Sequence, residues 1–169
     1  MPQRSISRGG GQIVPYPAPT SPGASRIGRG NKRTGTTAEV ALRRALHGLG
    51  LLFRKDLLVR LVGVKTHVDI AFTRPRLAVF VDGCFWHGCP EHGTTPRANS
   101  AYWVPKLARN LERDREVDDA LASSGWTVLR VWEHEVPEPA ASTVVAELVR
   151  LGHQPAIRMR ATARTDSKP

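Results

Sequence analysis

The segment Cys84-Phe85-Trp86-His87-Gly88-Cys89-Pro90-Glu91-His92 gathers two thiols and two imidazoles in a short stretch of chain. Cys84, Cys89 and His92 are donors of the kind zinc prefers, and closed zinc sites take four S or N ligands in a tetrahedron. His134, which follows a C-terminal apolar stretch, is the candidate for the fourth position. His87 stands between the ligands, where its ring is easily directed the other way. The plainer alternative is two buried, unligated cysteines with surface histidines. A segment so rich in Gly, Pro and His has little core of its own, and a bound metal would explain its order.

Asp69 lies in His67-Val68-Asp69-Ile70-Ala71-Phe72, an acid among apolar neighbours. Alone it reads as part of the polar face of an edge strand. The turn Thr73-Arg74-Pro75-Arg76 and the apolar run Leu77-Ala78-Val79-Phe80-Val81 follow, ending at Asp82. A hairpin of these two stretches brings two carboxylates toward one strand end. Mg²⁺ needs such oxygen ligands and keeps several waters. It can hold a phosphate and activate water for in-line attack. Lys106, Asn110 and Asp114 recur every fourth residue and so share a helix face. Such a row is ordinarily solvated, although its aspartate could orient the His87 imidazole. The aromatic pairs Phe85-Trp86 and Tyr102-Trp103 follow no helical or strand period. They are core residues, or wedges that enter between base pairs.

The surrounding elements must position these groups. Thr36-Thr37-Ala38-Glu39 fits a capping box, and Leu42, Leu46 and Leu49 line the helix it opens, which Gly48 and Gly50 close. Extended stretches are expected over 51–60 and 65–72. Leu77–Val81, an unbroken apolar run between turn signals, reads as a central strand buried on both faces. Residues 82–99 read as a long structured loop. Asn99 or Ser100 caps a helix running to about Ser123, with Leu107, Leu111, Val117 and Leu121 as its core stripe. Trp126–Trp132 is a further strand, and 138–151 a last helix. Helix, strands, helix, strand, helix means an α/β fold of the α+β mixed-sheet type, with helices packed on its faces.

Net charge divides the chain. Residues 1–35 carry six cations and no acid, residues 150–169 five cations and one acid, and the middle fourteen of each. The pattern excludes a uniformly basic packaging protein and fits cationic arms around a neutral body, arms that grip a polyanion or merely aid solubility. Residues 1–34 and 154–169 are expected to be disordered basic arms flanking one domain over 35–153. Two cysteines make no disulfide framework, and no apolar run approaches a membrane span or a signal core. The expected setting is therefore intracellular, with reduced thiols and no membrane partner. Nothing demands more than a monomer.

The run Val68-Asp69-Ile70, Val79-Phe80-Val81-Asp82-Gly83-Cys84-Phe85-Trp86-His87-Gly88-Cys89-Pro90-Glu91-His92-Gly93, Tyr102-Trp103, Asn110-Leu111-Glu112-Arg113-Asp114 and Gly125-Trp126-Thr127-Val128-Leu129-Arg130-Val131-Trp132-Glu133 resembles the very short patch repair (Vsr) DNA mismatch endonucleases of bacteria. The resemblance spans about residues 32–136. It implies a restriction-endonuclease-like fold with a zinc-binding loop, in a cytoplasmic, nucleoid-associated enzyme. It further implies a Mg²⁺-dependent nick 5′ to the thymine of a T:G mismatch, the product of 5-methylcytosine deamination. Asp69 would be the central magnesium ligand, with the Val81 carbonyl as a second. His87 would be the general base, oriented by Asp114, and Glu39 would support the metal-bound waters. Phe85, Trp86 and Trp103 would form the wedge, with Lys106 and Arg109 as further DNA contacts. Zinc would be held by Cys84, Cys89, His92 and His134. Partners would be the mismatched duplex, mismatch-repair proteins and the context of a cytosine methyltransferase. The alternative is a related restriction-type or transposon-associated endonuclease without mismatch specificity.

Three departures from the family pattern are visible. Some members carry Thr-His where this chain has Val81-Asp82, so a histidine able to assist the leaving group is absent, and Asp82 is available to the magnesium site instead. The zinc set ends in His134 where others use Cys. No lysine follows Val81, as the acid then Glu-x-Lys pattern of restriction enzymes would require, so His87 has to fill that role.

Overall fold

A computed structural model of the chain describes residues 34–94 and 96–154. Their elements are α1 (Thr37–Gly48), β1 (Arg54–Arg60), β2 (Lys65–Phe72), β3 (Leu77–Asp82), α2 (Ser100–Ser123), β4 (Thr127–Trp132) and α3 (Pro137–Arg150). But for Thr34 and Gln154, the expected basic arms lie outside the described residues.

The strands form one sheet in the order β1-β2-β3-β4. β1 and β3 flank β2 antiparallel, whereas β4 runs parallel to β3, from Leu77↔Thr127 to Asp82↔Trp132. A parallel pair requires a crossover, and α2 supplies it. β3 is interior, and its residues from Leu77 to Phe80 are all buried, as the apolar run requires.

Each face of the sheet has its own core. On one, Ile70, Phe72, Leu77, Val79 and Val131 pack against Leu42 and Leu46 of α1 and Val144 and Leu148 of α3. On the other, Val68, Ala71, Ala78 and Phe80 meet Val117 and Leu121 of α2. This mixed sheet with helices on both faces is the architecture of a restriction-endonuclease-like fold. No helix among the described residues is long and apolar enough to cross a membrane.

The α1 capping box forms as expected, with the Glu39 amide donating to Thr36 Oγ1. The start of α2 differs. Asn99 occupies the cap with left-handed backbone (φ 57°) and makes no side-chain cap bond; the amides of Tyr102 and Trp103 donate to its carbonyl instead. The expected α2 stripe is also only half right. Val117 and Leu121 are buried, but Leu111 is 37% exposed. The 24 residues of α2 span about 36 Å, while a strand of six covers only about 20 Å. The first half of the helix therefore overhangs the sheet and lies on the Cys/His loop. There Leu111 meets Gly88, whose positive φ (66°) suits glycine and where a Cβ would approach Leu111 Cδ2 to 3.4 Å.

Candidate active site and metal centre

Asp69 sits where the sheet loses its regularity. Side chains two apart on a strand share a face, yet Val68 belongs to the α2-side core and Ile70 to the opposite one. The alternation slips at Asp69, and across from it on β1 Asp56 has φ 47°. Pairing of β2 with β3 runs from Phe72↔Leu77 to Ile70↔Val79, and beyond this the strands part. In the fork the Val81 N–H donates to Asp69 Oδ2 at 2.9 Å, so the carboxylate replaces a ladder bond. Strand geometry turns the Val81 carbonyl toward the same side as its N–H. Burial pushes the Asp69 carboxyl up to about 6; the Val81 bond and Arg43 oppose this, while the charges of Glu39 and Asp82 add to it. A half-buried carboxylate beside a main-chain carbonyl is a pair of hard oxygen donors, which fits Mg²⁺, and a cation there would offset the partial burial.

Glu39 is 2% exposed, and both its oxygens are engaged. Oε1 accepts from Thr36 Oγ1 at 3.1 Å; Oε2 accepts from the Gly35 amide at 2.9 Å and from Arg43 Nη2 at 2.7 Å. The same Nη2 donates to the Asp69 carbonyl at 3.2 Å. The helix cap thus fixes an anion and a cation beside Asp69.

His87 is held from α2. Its Nδ1 lies 2.6 Å from Asp114 Oδ2, and one turn earlier Asn110 Nδ2 donates to the Trp86 carbonyl at 3.2 Å. Two members of the row of every fourth residue, Asn110 and Asp114, therefore clamp the loop rather than facing solvent. Burial lowers the His87 pKa, but the Asp114 hydrogen bond and the charges of Asp82 and Asp114 overcome it and leave it raised. For Asp114, burial is outweighed by His87 and Arg130, and its pKa is lowered.

Asp82 faces this side of the sheet. Arg130 Nη1 donates to both its oxygens, at 3.1 and 2.8 Å, and His87 Nδ1 is 3.9 Å from Oδ1. Successive strand residues point to opposite faces, so Asp82 lies on the α2 face of β3 and Val81 packs with the other core. Burial raises the Asp82 pKa, with Arg130 pulling against it. Asp82 thus neighbours both halves of the site, its charge acting on Asp69 and its oxygen standing near His87.

Cys84, Cys89, His92 and His134 converge, their donor atoms all within 4.8 Å of one another. Cys84 Sγ lies 3.1 Å and Cys89 Sγ 3.8 Å from His134 Nδ1, and Cys89 Sγ lies 4.0 Å from His92 Nδ1. Tetrahedral zinc separates S and N ligands by roughly 3.3–3.8 Å; these donors bracket that spacing, and two thiols with two imidazoles are a donor set that suits the ion. Burial and the neighbouring Cys89 push the Cys84 thiol up to about 11, which a cation would reverse. His134 presents Nδ1 to the sulfurs and Nε2 toward Glu91 Oε2 at 3.6 Å, the arrangement in which a carboxylate orients a ligating imidazole. Gly93 closes the loop: its N–H donates to the Cys89 carbonyl, and a Cβ there would fall 2.3 Å from that oxygen.

Phe85, Trp86 and Trp103 form a half-buried cluster with centroids 4.9 to 5.9 Å apart, and Tyr102 extends it at 5.1 Å from Trp103. Lys106 Nζ lies 3.3 Å from the Tyr102 hydroxyl, and Arg109 is exposed on the same helix.

Three partners were given no role by the sequence. Arg43 was detectable only as the residue four after Glu39. Arg130 showed as a cation inside the apolar strand Thr127–Trp132. Glu133, whose Oε1 accepts from the Cys84 amide at 2.7 Å, closes the stretch that carries the family resemblance but was given no role there.

The family described as DNA mismatch endonuclease Vsr matches residues 23–91. The type II nicking enzyme V.NaeI of Lentzea aerocolonigenes is 55% identical over 139 residues, 82% of this chain and 84% of that protein. The type II nicking enzyme V.NmeDIP of Neisseria meningitidis serogroup C is 38% identical over 122 residues, 71% of this chain and 78% of its own. The DNA mismatch endonuclease Vsr of Escherichia coli is 34% identical over 102 residues, 58% of this chain and 61% of its own.

Proposed function

The chain belongs to the Vsr family of DNA mismatch endonucleases, and on that footing we propose that it nicks one strand of duplex DNA 5′ to the thymine of a T:G mismatch. The observation that carries the reading is His87 hydrogen-bonded to Asp114 at 2.6 Å just beyond β3, with Asp82 of that strand beside it and the half-buried Asp69 tied to Val81 of the same strand. With Nδ1 committed to Asp114, Nε2 is the ring atom left to take a proton from attacking water. Asp114 fixes that tautomer and stabilises the imidazolium as it forms.

Asp69 and the Val81 carbonyl are the residues that would hold Mg²⁺. When bound, the ion would supply positive charge to the scissile phosphate and the departing oxygen. Glu39, fixed by its cap, acts with Arg43 as a buried ion pair behind Asp69. Asp82, both oxygens engaged by Arg130, we assign to the His87 side. Cys84, Cys89, His92 and His134 would hold a structural zinc that keeps the His87 loop in register with α2. Phe85, Trp86 and Trp103 form the wedge that opens the duplex, with Lys106 and Arg109 along the backbone. Repair of deaminated 5-methylcytosine beside a cytosine methyltransferase, with mismatch-repair proteins, is the setting such a nick serves.

The names of the relatives favour nicking more directly than mismatch choice, so the assay must separate the two. An end-labelled duplex with one T:G pair, and its fully paired counterpart, are incubated with enzyme and Mg²⁺. The expected product is a single nick mapped 5′ to the mismatched thymine. Equal nicking of the paired duplex would instead select the restriction-type alternative, and no nick in either would refute the reading.

A further inference from the structure

A dense polar network among the described residues is centred on Arg130, a β4 residue outside the proposed catalytic set. Its Nη1 grips both oxygens of Asp82. Its Nε and Nη2 donate to the Asp118 carboxylate at 3.1 and 2.8 Å, and Nη2 also reaches the Asp114 carbonyl at 3.3 Å. The guanidinium lies over the Phe80 ring, 5.0 Å from its centroid. One side chain thus joins β3, β4 and the turn of α2 that carries Asp114.

The geometry at His87 shows what this hub does. Nδ1 has two carboxylates before it, Asp114 Oδ2 at 2.6 Å and Asp82 Oδ1 at 3.9 Å. Asp82 is 4% exposed, so water does little to screen it. Without a counter-charge, such a buried carboxylate would draw the same N–H, and an imidazole rotated to meet it would carry Nε2 away from its aim. The guanidinium lies 3.7 Å from Asp114 Oδ1 as well, but it hydrogen-bonds both Asp82 oxygens and leaves Asp114 Oδ2 to the imidazole, so it removes the competitor and, through Asp118 and the Asp114 carbonyl, anchors the preferred partner.

We propose that Arg130 is a positioning residue for His87, neutralising Asp82 so that Asp114 alone receives the Nδ1 proton. The inference rests on the reading of His87 as the base. It also accounts for an acid at position 82: with the cation of β4 beside it, Asp82 serves as the anchor of Arg130.

The test is made on the full chain with ¹⁵N-labelled histidine, following the Nδ1–H resonance of His87, assigned by its loss in His87→Gln, together with nicking of a T:G duplex. In Arg130→Met that resonance should disappear or move, with kcat down about 100-fold and KM little changed, the cost of a misaligned catalytic group. In Asp82→Asn/Arg130→Met, where no buried charge competes, the resonance should return and kcat recover to within about 10-fold of the parent. A folded Arg130→Met with an unchanged resonance, or a double variant without recovery, overturns the proposal, since a purely structural hub would not be rescued at Asp82. Should Arg130→Met fail to fold, Arg130→Lys keeps the charge but loses the fork. It should retain the resonance at lowered thermal stability, and its loss in the folded protein overturns the proposal equally. If the parent nicks no duplex, the proposed reaction fails on its own, while the resonance still decides the role of Arg130.

Discussion

The imidazole of His87 hangs from Asp114 across 27 residues of chain, Nδ1 to Oδ2 at 2.6 Å. Asp114→Asn should therefore lower kcat about 100-fold and leave KM nearly unchanged, as expected for loss of an oriented base. The pH profile gives the sign. A base must be neutral, and the folded pKa of His87 is raised above its ordinary 6.5, so activity should fall as pH drops through that raised value. Removing the Asp114 charge and bond should move this acid limb to lower pH, which a rate profile measures directly.

Asp69 predicts a pH effect on metal affinity. Its carboxyl titrates at about 6, and the neutral form cannot ligate. The Mg²⁺ concentration giving half-maximal nicking should rise below that pH, approaching about tenfold per unit. Asp69→Ala should abolish cleavage while gel-shift binding of the mismatched duplex persists.

The Cys/His cluster predicts one zinc per chain. His134→Ala should lower the metal content measured by elemental analysis and the Tm by on the order of 10 °C, because the binding energy of a structural zinc is folding energy. A chelator strong enough to strip the ion should do the same to the parent.

Gly93 offers a test of loop packing. A methyl there would meet the Cys89 carbonyl at 2.3 Å, a contact that no side-chain movement relieves. Gly93→Ala should cost about 2–3 kcal/mol in denaturant unfolding and reduce zinc affinity.

Much of this site was legible along the chain because its signals are local. Cys84, Cys89 and His92 stand out by their spacing and Asp69 once it is paired with Asp82, whereas the distance of Glu39 from Thr36 marks only a helix cap and its place beside Asp69 comes from the family resemblance. The remainder depends on facing, which a one-dimensional pattern does not carry. Whether Asp82 joins Asp69 or Arg130 turns on the pleat, which sends Val81 and Asp82 to opposite sides of β3. Leu111 fits the helical stripe, yet α2 outruns the sheet, and the methyls meet Gly88 instead. Row 106-110-114 reads as solvated until the loop is seen beneath it, where Asn110 and Asp114 hold Trp86 and His87.

His134 meets Cys84 from 50 residues downstream, and Arg130 reaches Asp82 from 48. During synthesis the ribosome therefore releases Asp69, His87 and Asp114 well before the segment that aims and clasps them. A product terminated ahead of β4 carries the proposed catalytic side chains but neither the guanidinium nor the last metal donor. On the proposed reading, the site is complete only once β4 and His134 have been made.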